Sequence, residues 1–268
     1  MLELVISVCV AGATGWTGRA LAEAVLDAED VSLRSAVSRS AAGKDLGTAW
    51  ESDPLDVPVY GTVSEALEEV EVLVDYTSHE VVKGNALTAI EHGVNVVIGS
   101  SGLTSEDFEV IDSAARQDGV GVIAAGNFSL TAAMAQAAAL LVARHLPHWE
   151  IIDYASAGKP DVPSGTSIEI AERMSGVRKP ELGRSIDELS GPREARGASV
   201  AGSQVHSVRL PSFVVSTEIV FGLPDERLVI RHDAGSTPEP YVHGTLLAVR
   251  AVSGRTGLTR GLDTLLLE

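Results

Sequence analysis

Short β-branched apolar runs alternate with helix-periodic segments along the first half of the chain. The first run, residues 4–10, is followed from Arg19 by apolar residues at helical spacing. Similar units recur, with strands predicted at 31–37, 72–76, 95–98 and 120–124, and helices at 63–70, 80–92 and 105–117. Parallel strands are joined by crossover helices and are buried on both faces of their sheet, so they are continuously apolar. The alternation of such runs with helices therefore predicts a doubly wound parallel sheet in an α/β fold.

After Asn127 the pattern changes. One long Ala-rich helix is predicted at 130–145, a strand at 149–154 and a helix at 167–174, whereas residues 176–197 have no period. Three β-rich runs follow at 199–210, 213–221 and 227–232, and a last helix at 241–252. We interpret the runs as an antiparallel or mixed sheet in a second α+β domain.

Composition excludes several classes of function. The 268 residues carry 20 Lys and Arg against 37 Asp and Glu, a net charge of −17 that opposes binding to nucleic acid or anionic membranes. The acidity fits either solubility or a salt-adapted host. One cysteine, Cys9, excludes an intramolecular disulfide, and no apolar run is long enough to span a bilayer. We therefore expect a cytoplasmic protein, and no residue cluster has the spacing of a metal site.

A glycine-spaced turn joins the first strand to the first helix. It reads Gly12-Ala13-Thr14-Gly15-Trp16-Thr17-Gly18. Glycines at these points let the backbone approach a pyrophosphate, and the helix N-terminus offers N–H groups and positive potential. The spacing also occurs in ordinary strand-to-helix turns, but its place ahead of several βαβ units favours dinucleotide binding.

The end of the second strand bears on which dinucleotide would bind. Ser38 and Arg39 stand where an acidic residue would bind a ribose 2′-hydroxyl and a basic one a 2′-phosphate. No acid occurs there and Lys44 follows, so the sequence favours NADPH, with NADH as the alternative cofactor. An ordinary solvated arginine is the structural alternative for Arg39.

The segment from Lys159 to Thr166 precedes a predicted helix. Backbone N–H groups of Gly165 and Thr166, the hydroxyls of Ser164 and Thr166, and the helix dipole would form a socket for a carboxylate. Lys159 would add a positive charge or a proton. The structural alternative is a helix cap beside a loop lysine.

These motifs stand with further characteristic segments, namely 74–77 with Glu80, 92–94 leading to 99–102, 126–129, 205–211 and 230–233. On them, almost from end to end, the sequence resembles the dihydrodipicolinate reductase family. These NAD(P)H enzymes reduce 4-hydroxy-tetrahydrodipicolinate to tetrahydrodipicolinate in the diaminopimelate route to lysine.

The resemblance implies an N-terminal Rossmann domain, residues 1–127 completed by 240–268, and a substrate-binding domain, 128–239, whose sheet builds a homotetramer. It also implies which residues bind. The cofactor would contact Gly12, Thr14, Gly15, Trp16, Thr17, Ser38, Arg39, Gly99, Ser100, Ser101, Ala125, Gly126, Asn127 and Phe128. The dicarboxylate or cyclic imine substrate would contact Ser156, Lys159, Ser164, Gly165 and Thr166.

The sequence departs from the family pattern at three places. Ala155 and Ser156 replace a usual pair of histidines, the first of which acts as the acid. Trp16-Thr17 replaces arginine-methionine, which leaves Arg19 and Arg39 to face the cofactor phosphates. Residues 236–241 lack the arginine usual before the last helix. A histidine-dependent step is therefore absent or has been reassigned to another group.

Lys159, protonated at neutral pH, is the first candidate for the catalytic acid. Tyr154, Ser156 through a water, His206 and His232 are the others. Two further functions remain open: an imine reductase or amine-forming dehydrogenase acting on a different cyclic imine or oxo acid, and a non-catalytic assembly protein of the same shape. The intact glycine turn and the intact segment from Lys159 argue against the last.

Overall fold

The computed structural model of the chain describes residues 5–268. Leu4, with which the predicted first strand begins, lies outside them. The described chain divides into two compact units. One comprises the described residues up to Ser129 together with Pro238–Glu268, and the other comprises Leu130–Thr237.

The first unit contains the glycine-spaced turn and alternating strands and helices. In chain order these are β1 Ile6–Ala11, α1 Trp16–Leu26, β2 Val31–Val37, α2 Leu46–Ala49, β3 Val59–Tyr60, α3 Val63–Ala66, β4 Val72–Asp75, α4 Val82–Glu91, β5 Asn95–Ile98, α5 Ser105–Asp118 and β6 Gly121–Ala124.

The second unit follows, and the chain then returns to the first. The second unit holds α6 Leu130–Ala143, β7 Trp149–Ala155, α7 Gly165–Val177, two short 3-10 turns at Ile186–Glu188 and Arg193–Arg196, β8 Ala198–Val200, β9 Ser203–Arg209, β10 Val215–Leu223 and β11 Glu226–Asp233. The first unit is completed by α8 Glu239–Val252, β12 Gly257–Arg260 and α9 Asp263–Leu266.

The sheet of the first unit is parallel throughout, in the order β12-β6-β5-β4-β1-β2-β3. Its central strands are buried on both faces, as their apolar composition requires; Val8, Val10 and Val74 are fully buried. The predicted doubly wound parallel sheet is therefore confirmed. The carboxyl ends of β1, β2 and β4 lie at one edge, because Ala11 is in register with both Val37 and Asp75.

Helix boundaries follow local capping chemistry. Thr104 begins α5 with a capping box, in which Thr104 Oγ1 accepts from Asp107 N while Asp107 Oδ2 accepts from Thr104 N at 2.9 Å. The third helix starts after Thr62 as predicted but ends at Ala66 rather than Val70. Glu69 has a positive φ of 55°, a conformation that a helix cannot contain.

The sheet of the second unit is mixed, in the order β11-β10-β7-β9-β8. Strands β7 and β9 are parallel, and the other pairs are antiparallel. Alternate residues of β7 face inward, and Ile151 joins an apolar core with Ala139 of α6 and Met174 of α7. The predicted mixed sheet and its α+β character are confirmed.

Some predicted boundaries were wrong. The single run at 199–210 is a hairpin, β8 and β9, which turns at Ala201 and Gly202; both have the positive φ that tight hairpin turns need. Four elements were not predicted: α2, β3, β12 and α9. Each has four residues or fewer, too short for a periodic signal.

Candidate active site

The turn after β1 is closed by two short backbone approaches. Gly12 has a φ of 85°, and a Cβ atom there would stand 2.3 Å from the Tyr76 carbonyl oxygen. A Cβ atom at Gly18 would stand 2.2 Å from the Gly12 carbonyl oxygen. Trp50 holds the same turn, since its Nε1 donates to the Ala13 carbonyl at 3.1 Å. The glycine spacing is therefore a steric requirement of this turn.

The turn leads into the N-terminus of α1. Gly15 is the N-cap residue, and no side chain caps the helix. The first turn of α1 also lacks an acidic residue, so the N–H groups of the first turn keep their positive potential. This arrangement suits an anion such as a phosphate group.

A cavity of about 510 Å³ opens beside this turn, which we call the glycine-turn cavity. It is lined by residues from the ends of four parallel strands, β1, β2, β3 and β4. Its lining is Gly12, Thr14, Gly15, Val37, Ser38, Arg39, Ser40, Gly61, Thr62, Val63, Tyr76, Thr77, Ser78, Val81 and Asn85. Ligands of open α/β sheets bind at such strand ends.

The β2 end of the glycine-turn cavity is polar and carries no acid. Ser38 Oγ lies 2.8 Å from Thr14 Oγ1 and 3.3 Å from Ser40 Oγ. Arg39 is exposed and forms no ion pair with any described residue. Arg19 differs, because its Nε pairs with Glu23 Oε1 at 2.9 Å and its guanidinium lies over the Trp50 ring. Of the two arginines, Arg39 is the one that an anion in this cavity would meet.

A buried carboxylate links the β4 and β5 ends. Asp75 is fully buried. Its Oδ1 accepts from Thr77 N at 2.9 Å, Thr77 Oγ1 at 2.6 Å and Ser100 Oγ at 2.7 Å, and its Oδ2 accepts from Asn85 Nδ2 at 2.7 Å. Four donors thus compensate the charge that burial would otherwise disfavour.

Two of the other sequence-predicted cofactor residues, Gly99 and Phe128, lie against Tyr76. A Cβ atom at Gly99 would stand 2.2 Å from the Tyr76 ring, whose hydroxyl lies 2.7 Å from Thr245 Oγ1. Phe128 is buried with its ring against Tyr76, at 6.3 Å between centroids. Trp16 is 54 % exposed and meets the Tyr241 ring edge-on. Asn127 Oδ1 accepts from Ser129 N at 2.8 Å and so shapes the turn before α6.

In the second unit, a buried carboxylate organises the segment from Lys159 to Thr166. Asp153 of β7 is fully buried, and its two oxygens accept from Ser164 N at 2.9 Å and Ser164 Oγ at 2.7 Å. Ser164 is the N-cap of α7, with its Oγ accepting from Ser167 N. Asp153 therefore fixes the start of the helix at which the sequence predicts a carboxylate socket.

Arg209 completes this network. Its guanidinium donates to Asp153 Oδ2 at 2.7 Å and to the Asp161 carbonyl at 2.8 Å. Burial by itself would raise the pKa of Asp153, but the bonds from Ser164 and Arg209 outweigh it and hold that pKa below its usual range. Asp153 is thus an ionised anchor at neutral pH.

Lys159 lies in the same segment, partly exposed, with its Nζ 2.9 Å from Asp161 Oδ1. Both side chains reach solvent: that of Lys159 is 27 % exposed and that of Asp161 is 33 % exposed. Ser156 precedes it in a turn, in which Lys159 N donates to the Ser156 carbonyl at 3.1 Å. Ala155 is fully buried at the end of β7.

The structure separates two of the other candidate proton donors, Tyr154 and His206, from the socket. Adjacent strand residues face opposite sides of a sheet, so Tyr154 and Glu150 lie on the face opposite Asp153. Tyr154 stacks with Phe213 there, and His206 Nε2 lies 2.7 Å from Glu150 Oε2. These two candidates are therefore on the wrong face of the sheet.

His232 is on the same face as Asp153, in register with it through Thr217 of β10. Its Nε2 lies 3.1 Å from Thr131 Oγ1. Burial lowers the pKa of His232 below its ordinary value, so the ring is mainly neutral at pH 7. A neutral imidazole is a weaker proton source there than a lysine ammonium.

Residues 5–268, which the structure describes, lack two kinds of feature. No group of three or more His, Cys, Asp and Glu side chains in that range is placed to hold a metal ion. No helix in it has the length and apolarity to cross a bilayer.

The fold and the glycine turn place the first unit in the Rossmann class of α/β proteins. Comparison with known proteins goes further. Residues 6–128 match the family described as dihydrodipicolinate reductase, N-terminus, and residues 127–266 match dihydrodipicolinate reductase, C-terminus. The chain belongs to the dihydrodipicolinate reductase family and is an oxidoreductase, which confirms the family membership that the motifs indicate.

Individual relatives match along nearly the whole chain. A 4-hydroxy-tetrahydrodipicolinate reductase of Thermosynechococcus vestitus is 37 % identical over 268 residues, 97 % of each chain. One of Desulfitobacterium hafniense is 37 % identical over 264 residues, 97 % of this chain and 98 % of the relative. The solved dipicolinate-bound dihydrodipicolinate reductase of Paenisporosarcina sp. TG-14 is 28 % identical, with a TM-score of 0.76 over 97 % of this chain and 99 % of the other.

Several residues of both units escaped sequence reasoning. Trp50, Asn85 and Asp153 lie in none of the segments that carry the family resemblance. Thr77 and Arg209 lie in two of them, 74–77 and 205–211, but the sequence assigns them no role. The one available signal was chemical: Asp153 is an acid at an inward position of an otherwise apolar strand. Such a residue demands a buried partner.

Proposed function

We propose that this protein is an NADPH-dependent 4-hydroxy-tetrahydrodipicolinate reductase that forms tetrahydrodipicolinate for lysine biosynthesis. The observation that carries the proposal is the network in which Asp153 fixes Ser164 at the start of α7, in the same segment as Lys159. It gives a structural basis for binding a carboxylate next to a proton donor, which is what the family reaction needs. The relatives named for this reaction support it.

The first unit fits a nicotinamide dinucleotide. Glycine at 12 and 18 lets the turn close, because a Cβ atom at either position would meet a backbone carbonyl oxygen; a tight turn of this kind suits a pyrophosphate. The uncapped α1 N-terminus would receive its charge. When bound, the reduced nicotinamide supplies a hydride to an unsaturated carbon of the substrate, whose 4-hydroxyl group is lost as water. Gly99, Ser100, Ser101, Ala125, Gly126, Asn127 and Phe128 would frame the nicotinamide end.

A 2′-phosphate would be recognised at the β2 end. Ser38 offers a hydroxyl already linked to Thr14, and Arg39 offers an exposed guanidinium without an ion-pair partner among the described residues. No acidic side chain lines the cavity to repel the phosphate or to bind an unmodified ribose. We therefore assign NADPH as the preferred cofactor, with weaker use of NADH.

The second unit would bind the substrate. Gly165 and Thr166 begin α7 under the Ser164 cap, and their N–H groups would bind one carboxylate. Lys159 would pair with the substrate in exchange for Asp161. The dipicolinate in the Paenisporosarcina relative is a ligand of this chemical class.

Lys159 would also deliver the proton that completes the reduction. Its ammonium group is partly exposed, whereas Tyr154 and His206 face away from the socket. Asp161 would hold the ammonium in place before the substrate arrives. This assignment replaces the histidine that Ala155 has removed, and Ser156 would contact the substrate from the preceding turn.

The remaining expectations belong to the same proposal. The first unit would serve as the dinucleotide domain and the second as the substrate and assembly domain, with four copies joined through the second sheet. We place the enzyme in the cytoplasm, where the pathway's small molecules are found. A gel-filtration mass with light scattering tests the tetramer.

The proposed function is tested by measuring turnover of the substrate. The substrate is generated enzymatically, and NADPH consumption is followed with the wild type and with a matched pair of variants, Lys159→Ala and Lys179→Ala. Lys179 is exposed and its Nζ donates to Ser175 Oγ at 2.9 Å, so it controls for loss of a lysine outside the socket. Turnover that survives in Lys179→Ala and is lost in Lys159→Ala supports the proposal. Dinucleotide binding without turnover of this substrate favours a different imine or oxo acid.

A further inference from the structure

Asn85 lines the glycine-turn cavity, and a buried carboxylate fixes its amide. Asn85 Nδ2 donates to Asp75 Oδ2 at 2.7 Å. An ionised carboxylate can only accept hydrogen bonds, so Asn85 can meet Asp75 only through its NH₂ group. The carbonyl oxygen of the Asn85 amide therefore points away from Asp75. Oδ1 of Asn85 makes no hydrogen bond with any described residue.

Asp75 cannot easily release this amide. Its Oδ1 is occupied by Thr77 N, Thr77 Oγ1 and Ser100 Oγ, at 2.6 to 2.9 Å. The Asp75 main-chain carbonyl also accepts from Gly99 N at 2.9 Å and Ser100 N at 3.1 Å. Rotation of the carboxylate away from Asn85 would break several of these bonds inside a fully buried site. The orientation of the Asn85 amide is thus built into the fold.

The cavity leaves two stretches of lining for the base of a dinucleotide. If the pyrophosphate lies at Gly12 and Gly15, and the ribose 2′ position at Ser38 and Arg39, the lining that remains comes from the β3 end with the start of α3, and from the β4 end with α4. The second stretch includes Ser78, Val81 and Asn85. It offers an apolar contact at Val81 and, at Asn85 Oδ1, an acceptor whose orientation is fixed.

We propose that Asn85 Oδ1 accepts a hydrogen bond from the exocyclic amino group of the adenine ring, and that Asp75 is the positioning residue that selects this amide orientation. The inference rests on the proposed dinucleotide function and adds a determinant of base specificity to it. A purine with an oxo group at the same position would place one acceptor against another. The site therefore discriminates between a 6-amino and a 6-oxo purine.

The two residues allow a reciprocal test. In Asp75→Asn, the new NH₂ group faces Asn85, whose amide must turn to accept from it. Asn85 then presents NH₂ to the cavity, which suits a 6-oxo purine. In the double variant Asp75→Asn with Asn85→Asp, a carboxylate oxygen again faces the cavity, and the hydrogen bond between positions 75 and 85 again has a donor and an acceptor.

The experiment measures dissociation constants of the full-length protein for NADPH and for its hypoxanthine analogue, in which the 6-amino group is an oxo group. The wild type is expected to prefer NADPH by about tenfold, as the loss of one hydrogen bond implies. Asp75→Asn is expected to reverse the preference and the double variant to restore it. Asn85→Ala, on a partly exposed helix surface, should remove the preference while the protein stays folded.

The outcomes separate the two proposals. A wild type that binds both cofactors equally, or an Asp75→Asn variant with an unchanged ratio, overturns the role of Asn85 and leaves the reductase function standing. If Asp75→Asn does not fold, the ratio in Asn85→Ala decides, and an undiminished preference for NADPH overturns the inference. Failure of the wild type to bind either cofactor overturns the proposed function itself.

Discussion

Arg209 Nη2 lies 2.7 Å from Asp153 Oδ2, and the same guanidinium donates to the Asp161 carbonyl. One ion pair therefore joins β7, β9 and the segment that carries Lys159. The Asp153 side chain is fully buried and that of Arg209 is 15 % exposed. Several expectations about stability and function depend on this pair.

Removal of one partner of the Arg209–Asp153 ion pair should destabilise the fold. Arg209→Met leaves the Asp153 charge buried without its cation, so we expect a loss of about 3 to 5 kcal/mol in the free energy of unfolding. Arg19→Met is the matched control, because Arg19 and Glu23 are both about half exposed and such pairs contribute under about 1 kcal/mol. Urea unfolding measures both losses. Equal losses in the two variants would contradict the anchoring role of Asp153.

The same carboxylate should make stability pH-dependent. Because the pKa of Asp153 is lower in the folded than in the unfolded chain, its ionised form stabilises the fold above the ordinary aspartate value of about 3.9. That contribution is lost as the pH falls through the folded value. The stability gap between the wild type and Asp153→Asn should be widest near neutral pH and should narrow below about pH 4. A gap independent of pH counts against an ionised Asp153.

The glycine turn should not tolerate a methyl group. In Gly18→Ala the new Cβ atom meets the Gly12 carbonyl oxygen at 2.2 Å, so the turn must shift and NADPH affinity should fall at least tenfold. Gly84→Ala is the control: it lies in α4 with nothing within 4 Å, and should stabilise the helix by up to about 1 kcal/mol. Titration with NADPH and thermal unfolding report the two effects. Undisturbed affinity in Gly18→Ala would exclude phosphate binding at this turn.

Cofactor preference should depend on Arg39. Loss of a charged hydrogen bond is worth about 1.5 to 3 kcal/mol, so Arg39→Ala should weaken NADPH binding by tenfold or more and leave NADH binding nearly unchanged. Lys44→Ala, another exposed cation that does not line the cavity, provides the control. Parallel titrations with both cofactors make the comparison. Equal weakening for NADPH and NADH would contradict recognition of the 2′-phosphate.

Sequence periodicity predicted the strands of the first unit well because each is a short apolar run between turn residues. Strands β2 and β5 have the predicted bounds. The strands at the two edges of this sheet, β3 and β12, were not predicted because four residues or fewer carry too little hydrophobic periodicity. The edge strand β12, for example, contains Arg260, whose guanidinium lies over the Phe108 ring.

The candidate site divides in the same way. Gly12, Ser38, Arg39, Lys159 and Ser164 carry local signals, namely glycine spacing, strand ends and a helix cap. Asn85, Asp153, Arg209 and Trp50 act through partners elsewhere in the sequence; Asn85 lies 10 residues from Asp75, and Arg209 lies 56 residues from Asp153. No spacing rule connects such residues, and only the folded chain shows that they are paired.

The central claim is that Lys159, in a socket fixed by Asp153, protonates the substrate in place of the histidine that Ala155 removes. The most direct measurement is the turnover rate on enzymatically generated 4-hydroxy-tetrahydrodipicolinate with NADPH, for the wild type, Lys159→Ala and Lys159→Arg. We expect wild-type turnover, a loss of at least a hundredfold in kcat for Lys159→Ala, and NADPH affinity unchanged in both variants. A Lys159→Ala variant that keeps the wild-type kcat would contradict the account.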